Sequence, residues 1–409
     1  MQMKKCRMCK SSKLNLILDL GHSSLSDGFL TKNDLDESET SYPLNVLICK
    51  TCGLCQLGYT VSPEKMFNKN YPYDSSTTSY GREHFHNMGV NICNNFNLES
   101  KSLVVDVGSN TGVLLSSFKL KNMKVIGIEP SDNVASIARK KGINTITAFF
   151  SKKIAEKILK KYGNVSVLTG TNVFAHIDDL DDFMNGVKIL LKSDGILVIE
   201  APYLVNLFDN LEYDTIYHEH LSYLSVKPLK QFCEKHKMDL FDVEIQKIHG
   251  GTLRYFIGRK GKHKISNNIN KFLKLESTKK IYSDKKLTEF AQNVEDHRSK
   301  LLKLLFNLKK SGKTIVAISA PAKGNTLLNY CKIGTETIDY ITEKNPMKIG
   351  KFSPGMHIPI FSDKKLISDK PDYALILAWN FADEIMKNNH HFKSNKGKFI
   401  IPLPFPKII

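Results

Sequence analysis

The chain has no apolar run near the ~18 residues a bilayer span requires, and no apolar segment precedes its first cysteine, since Met1-Gln2-Met3-Lys4-Lys5 leads straight into Cys6. A membrane span and a secretory leader are both unexpected, and the compartment implied is the cytoplasm. Cysteine is sparse, with eight in 409 residues. In a long chain from a reducing compartment, that count favours metal ligands or free thiols over a disulfide framework. Despite a formal charge of +18, there is no basic patch interleaved with aromatics and no nucleic-acid motif. The lysines between 258 and 325 are mixed with Glu and Asp on predicted helices, so they read as a solvated surface and no nucleic-acid partner is expected. Such a field would still gather an anionic substrate. The length exceeds that of one core, which implies two or three domains.

Four of the cysteines are paired. Cys6-Arg7-Met8-Cys9 and Cys49-Lys50-Thr51-Cys52 have the count and local spacing of a closed tetrahedral zinc site. Four thiolates with no open position imply a structural metal, and a small segment with few apolar runs needs that staple to fold. Cys55 is a rival ligand to its neighbours, and redox use of either pair is the alternative chemistry. Residues 1–70 are read as a zinc-binding domain. The polar, aromatic stretch 71–80 then separates it from the remainder of the chain.

Val104-Val105-Asp106-Val107-Gly108-Ser109-Asn110-Thr111-Gly112 breaks an apolar run with a glycine turn, and Val125-Ile126-Gly127-Ile128-Glu129 ends a second run in a carboxylate about twenty residues on. Dinucleotide sites need Gly-x-Gly-x-x-Gly at a pyrophosphate, whereas this loop is Asp-x-Gly-x-x-x-Gly. Asp106 would face a cationic ligand, Gly108 and Gly112 would admit close backbone approach with Asn110 between them, and Glu129 would accept two ribose hydroxyls. A bare structural turn is the competing reading. The loop and acid resemble the S-adenosylmethionine (SAM) site of class I methyltransferases.

Strands are predicted at Leu103–Val107, Lys124–Ile128, 165–169 and 195–200, with helices between them and a helix over 82–98 before them. This alternation predicts a parallel sheet with helices on both faces, as the core of a domain spanning 71–257. Just past the 165–169 strand, Asn172 and His176 sit where a parallel sheet lines its ligand crevice, Asn172 toward the cofactor and His176 toward the substrate. The densest ionisable cluster is Tyr217-His218-Glu219-His220. Histidine can take a proton, Glu219 can orient it, and Tyr217 can donate to an oxyanion. An extended segment separates Tyr217 from His220; a turn brings them together. A metal site and a set of hydrogen-bonded structural histidines are the alternatives. Residues 262–310 read as charged amphipathic helix, the start of a domain over 258–409. Its strands are predicted from Lys313 and at 337–341 and 373–378. The loop 320–325 opens a helix able to hold an anion, but without Gly-x-Gly-x-x-Gly or a ribose-binding acid in place. This half is a degenerate Rossmann-like α/β fold.

In order along the chain, these blocks resemble the zinc-containing SAM-dependent sugar C-methyltransferases, which act on nucleotide-linked 4-keto-deoxysugars. The resemblance rests on the paired cysteines with Cys52-Gly53-Leu54-Cys55-Gln56-Leu57, Tyr71-Pro72-Tyr73, the SAM loop, Tyr217-His218-Glu219-His220 and His249-Gly250-Gly251-Thr252-Leu253-Arg254. Ala320-Pro321-Ala322-Lys323-Gly324-Asn325-Thr326 and Ser353-Pro354-Gly355-Met356-His357-Ile358-Pro359 extend it to the C-terminal half. It implies an α/β enzyme of three domains: zinc-binding, class I methyltransferase and C-terminal Rossmann-like. Its ligands would be SAM, structural zinc held by Cys6, Cys9, Cys49 and Cys52, and a nucleotide-diphosphate keto-sugar. His220 would be the general base, with Tyr217 and Glu219 positioning the substrate and steadying the enolate. Tyr71 and Tyr73 would line the substrate site, and Lys323 and Asn325 would contact the nucleotide diphosphate or, equally, cap a helix. No motif specifies the sugar carbon or the nucleobase. An O- or N-methyltransferase, which needs no enolate, and a zinc-stabilised nucleic-acid module are the competing functions.

Overall fold

A computed structural model describes residues 1–67, 71–72, 74–76, 78–246 and 251–409. Tyr73 and the His249-Gly250 end of its motif lie outside the described residues. The N-terminal part forms an antiparallel meander, β1 (Leu14–Ser23), β2 (Tyr42–Cys49) and β3 (Cys55–Leu57), with the cysteine pairs flanking it.

The central part carries β4 (Leu103–Val107), β5 (Lys124–Ile128), β6 (Thr145–Ile146), β7 (Val165–Thr171), β8 (Leu191–Pro202), β9 (Ser222–Tyr223), β10 (Met238–Gln246) and β11 (Thr252–Arg259). All but β9 form one sheet in the order β10-β11-β8-β7-β4-β5-β6. Every side chain of β4 is buried, which is why a continuous apolar run marks it: a parallel strand is covered on both faces. The parallel expectation holds for β4 to β8. It fails at β10 and β11, which run antiparallel beside β8. The helix Ser79–Asn95, capped by the Thr78 hydroxyl accepting from Gly81 N–H, packs on the helix Val113–Leu120 that follows the β4 loop.

The strand left out is the informative one. β9 pairs with β3, so the N-terminal sheet reads β1-β2-β3-β9 and takes its last strand from the central domain.

The connector is two helices, Asn267–Thr278 and Asp284–Lys310, each started by a serine cap, and the longer one buries Leu287, Phe290, Val294, Leu301 and Leu305 on one face. The C-terminal part has β12 (Ile315–Ile318), β13 (Ile341–Glu343), β14 (Ile360–Ser362), β15 (Tyr373–Ile376), β16 (Lys398–Ile401) and β17 (Lys407–Ile408) in the order β14-β13-β12-β15-β16-β17. All pairs are parallel except the last. One apolar cluster runs from Cys6 through the central sheet to Leu403, so the three parts share a core. Among the described residues no helix is long and apolar enough to cross a membrane.

Candidate active site

The four paired cysteines converge. Their Sγ atoms all lie within 4.8 Å of one another, with Cys6 to Cys52 at 3.6 Å and Cys9 to Cys49 at 3.5 Å. A tetrahedral ion with Zn–S bonds near 2.3 Å needs S···S edges of about 3.8 Å, so the donor set fits zinc. Cys55 is fully buried in β3 opposite Tyr223 and stands apart from this cluster.

At the carboxyl end of β4 the chain turns through Gly108 at φ +65°, and a Cβ there would meet Val173 Cγ2 at 2.3 Å. Only glycine fits this close approach. Gly108 N–H and Ser109 N–H donate to the Ile128 carbonyl at 2.7 and 3.1 Å, tying the loop to β5. Glu129, just past β5, accepts from Asn110 N–H and Ser131 N–H, both at 2.9 Å. Asp106 is buried and accepts from the Thr169 hydroxyl at 2.6 Å. Burial, helped by the charge of Glu129 and opposed by that hydrogen bond, pushes Asp106 up to about 7. Two buried carboxylates facing one crevice suit a cationic ligand that carries ribose hydroxyls. Asn172, at φ +56°, lines the same crevice.

That crevice is a cavity of about 1040 Å³ walled by all three parts of the chain. Asp106, Gly108, Asn110, Glu129, Asn172, Tyr71, His176, Tyr217, Glu219, His220 and Lys323 all line it. Gly112 does not; it starts the helix Val113–Leu120 at φ +76°, against Ile143.

The 217–220 segment is a turn, with His220 N–H donating to the Tyr217 carbonyl at 2.9 Å and ring centroids of Tyr217 and His220 4.0 Å apart. His220 Nδ1 lies 2.7 Å from the Thr215 carbonyl. A carbonyl only accepts, so Nδ1 carries the proton and Nε2 keeps the lone pair. Burial pulls the His220 imidazolium down to about 4, leaving a neutral base at neutral pH. His176 stacks on His220 at 5.2 Å and on Phe67 at 5.6 Å. Glu219 accepts from the Tyr71 hydroxyl at 3.3 Å, and burial, then the charge of Asp27, pushes it well above the usual carboxylate range. His218 points elsewhere, to the Pro43 carbonyl at 3.3 Å, and is structural.

Comparison with known proteins adds the family. Three family models match in chain order: a zinc binding domain at 6–67, a methyltransferase domain at 82–239 and a C-methyltransferase C-terminal domain at 247–404. The C-methyltransferase NovU of Streptomyces niveus is 34% identical over 407 residues, covering 99% of this chain and 96% of its own. The chain belongs to this family of SAM-dependent C-methyltransferases. More distantly, the ubiquinone biosynthesis O-methyltransferase of Bartonella tribocorum is 20% identical over 204 residues, 44% of this chain and 78% of its own. The solved structure of magnesium protoporphyrin IX methyltransferase from Synechocystis PCC 6803 with bound SAH superposes with a TM-score of 0.36 at 12% identity, covering 46% of this chain and 90% of that one.

The C-terminal half of this C-methyltransferase departs from expectation in two places. Asn325 is absent from the cavity wall: its Nδ2 donates to the Ser26 carbonyl at 2.6 Å and clamps the N-terminal domain. It caps no helix either, since no side chain caps the helix Ala322–Cys331. Secondly, an acid does stand after the second strand. Residues 334–338 form a turn, so β13 begins at Ile341 rather than at 337 and ends in Glu343. Glu343 accepts from Ala320 N–H at 2.8 Å and from Asn345 N–H at 3.0 Å, repeating the pattern of Glu129 with the β4 loop. Asp27, Phe67 and Lys348 also line the cavity, with Lys348 Nζ 3.8 Å from Asp27. No spacing rule links these three to the motifs, so no local signal marks them in the chain.

Proposed function

We propose that the acceptor is the carbon beside the ketone of a nucleotide-linked 4-keto-deoxysugar, with His220 as the base that removes its proton. The observation that carries this is the clamped Nδ1 of His220, which fixes a neutral imidazole with its Nε2 lone pair on the wall of the cavity that also contains Asp106 and Glu129. A sugar C–H yields to histidine only when an adjacent carbonyl spreads the charge, which makes a keto-sugar the chemically sensible substrate. Tyr217 can then donate toward the enolate oxygen, while Glu219, held by the Tyr71 hydroxyl, orients the substrate beside it. Asp106, Gly108, Asn110, Glu129 and Asn172 would hold SAM, which when bound supplies the electrophilic methyl group for the enolate carbon. Tyr71 and His176 would line the sugar site. Lys323 would meet the diphosphate and Glu343 the ribose of the nucleotide.

The test is to incubate the protein with SAM and several nucleotide 4-keto-6-deoxysugars in deuterated water. Methylated sugar, or deuterium at the adjacent carbon, is expected, and His220→Ala should retain SAM binding while losing both. Turnover without exchange at carbon would point to an oxygen or nitrogen acceptor instead.

A further inference from the structure

The base is held by a short buried turn. Tyr213–Thr215 is a single 3-10 turn, and its last residue supplies the carbonyl that receives the His220 Nδ1 proton. Its first two residues are fastened to the C-terminal domain. The Tyr213 hydroxyl lies 3.0 Å from His297 Nδ1, and His297 Nε2 lies 2.7 Å from the Pro402 carbonyl. Asp214 Oδ2 accepts from the Trp379 indole N–H at 2.6 Å.

Trp379 is the only tryptophan in the chain, and the Lys323 ammonium stands over its ring at 4.2 Å from the centroid while bonding to Asn380. One indole thus has a carboxylate at its edge and a cation on its face. Asp214 is fully buried, and a buried carboxylate is costly without a nearby opposite charge. Lys323 is the cation whose field favours its ionised form, although burial pushes Asp214 up to about 6. Lys323 also lines the cavity, so an anion entering there competes with Asp214 for the same ammonium.

We propose that Asp214 is a positioning residue that links the state of Lys323 in the C-terminal crevice to the orientation of the His220 ring. An anionic group on Lys323 withdraws the counter-charge from Asp214. The turn that carries Asp214 then adjusts, and the Thr215 carbonyl with it. Occupancy of the crevice by the anionic end of a substrate is in this way felt at the base before the reacting carbon arrives. The inference rests on the reading of Lys323 as an anion contact and of His220 as the base.

The experiment needs no sugar and no turnover. Parent, Asp214→Asn and Lys323→Met proteins, labelled with 15N in their imidazoles, are titrated with inorganic pyrophosphate and with thymidine or uridine diphosphate. Trp379 fluorescence reports anion binding, and long-range 1H–15N spectra report the His220 tautomer, with the signal assigned by its loss in His220→Gln. Asparagine keeps an oxygen for the indole N–H and removes only the charge, so a purely structural anchor would leave Asp214→Asn like the parent. In the parent, anion binding should shift both signals. In Asp214→Asn the anion should bind about tenfold more tightly, because Lys323 is no longer shared, while the His220 signal no longer responds. Lys323→Met should lose the fluorescence response. The proposal is overturned if the parent shows no response of either signal, or if His220 responds equally in Asp214→Asn. Should Asp214→Asn not fold, Trp379→Phe, which removes the indole N–H but leaves both charges, carries the test with anion binding read by calorimetry: its His220 response should persist, and loss of that response with the anion still bound overturns the proposal. Failure of the keto-sugar assay with these responses intact would reject the substrate and leave the coupling standing.

Discussion

At the scale of single residues, burial and hydrogen bonding set two titrations in opposite senses. Asp106 is pushed up to about 7, and a cationic ligand favours its ionised form. SAM affinity should therefore rise with pH by up to about tenfold per unit below that value and level off above it. Calorimetry in buffers of different ionisation enthalpy should detect the released proton, and Asp106→Asn should flatten the dependence. His220 behaves differently. Its folded-state value of about 4 lies below the roughly 6.5 of a free imidazole, so the folded protein binds this proton less tightly than the unfolded chain. Its contribution to stability is intact above about 6.5 and is lost as pH falls toward 4. Melting curves from neutral to mildly acidic pH should show His220→Gln losing less stability than the parent. An acid limb of turnover near 6.5 that persists in Asp106→Asn at saturating SAM would contradict a depressed His220.

Among elements, legibility followed burial. The strands β4 and β5 have the bounds expected from sequence because each is a short, mostly apolar run that ends in a glycine turn or an acid. β10 and β11 escaped notice, since β11 interrupts its apolar run with the buried Arg254 and β10 alternates weakly at the sheet edge. The two residues of β9 carry no periodicity, and a pairing to β3 more than 160 residues away has no local signal. At the site, the SAM loop and the 217–220 cluster were legible because chemistry and spacing coincide within a few residues. Glu343 was missed for a mechanical reason: placing β13 at 337–341 left the acid beyond its end, and the 334–338 turn moves the strand onto it. The β4 loop offers a direct test of packing. Gly108→Ala must combine φ +65° with a Cβ 2.3 Å from Val173, so a loss of about 1–3 kcal/mol in urea unfolding is expected, together with weakened SAM binding.

For the whole molecule, one junction between the zinc domain and the central domain is charged. Across it Lys10 reaches Asp181 at 2.7 Å and Arg7 binds Asp178, while Lys235 and His236 of the central domain hold the same Asp181 carboxylate, each at 2.8 Å. Burial raises Asp181, but the three hydrogen bonds outweigh it and bring the carboxyl down to about 2. Its stabilising share is present above about 4 and is lost as pH falls toward 2. Asp181→Asn should lower the melting temperature at neutral pH and narrow the gap to the parent in acid. Metal removal acts on the same junction. Stripping zinc with a thiol reagent and chelator should loosen β1 to β3 and with them the support of β9. SAM binding should persist in calorimetry, while carbon exchange at the acceptor is lost.

The pairing of β3 with β9 has a consequence for anyone who cuts or recombines this protein. Leu57 N–H donates to the Leu221 carbonyl at 3.0 Å, one residue after His220, so the spatial module that ends in β9 is stitched from two distant stretches of chain. A chimera joined at the apparent boundary near residue 70 would bring a foreign strand edge against His220. Donor segments for the zinc sheet and for 213–223 have to be exchanged as a matched pair.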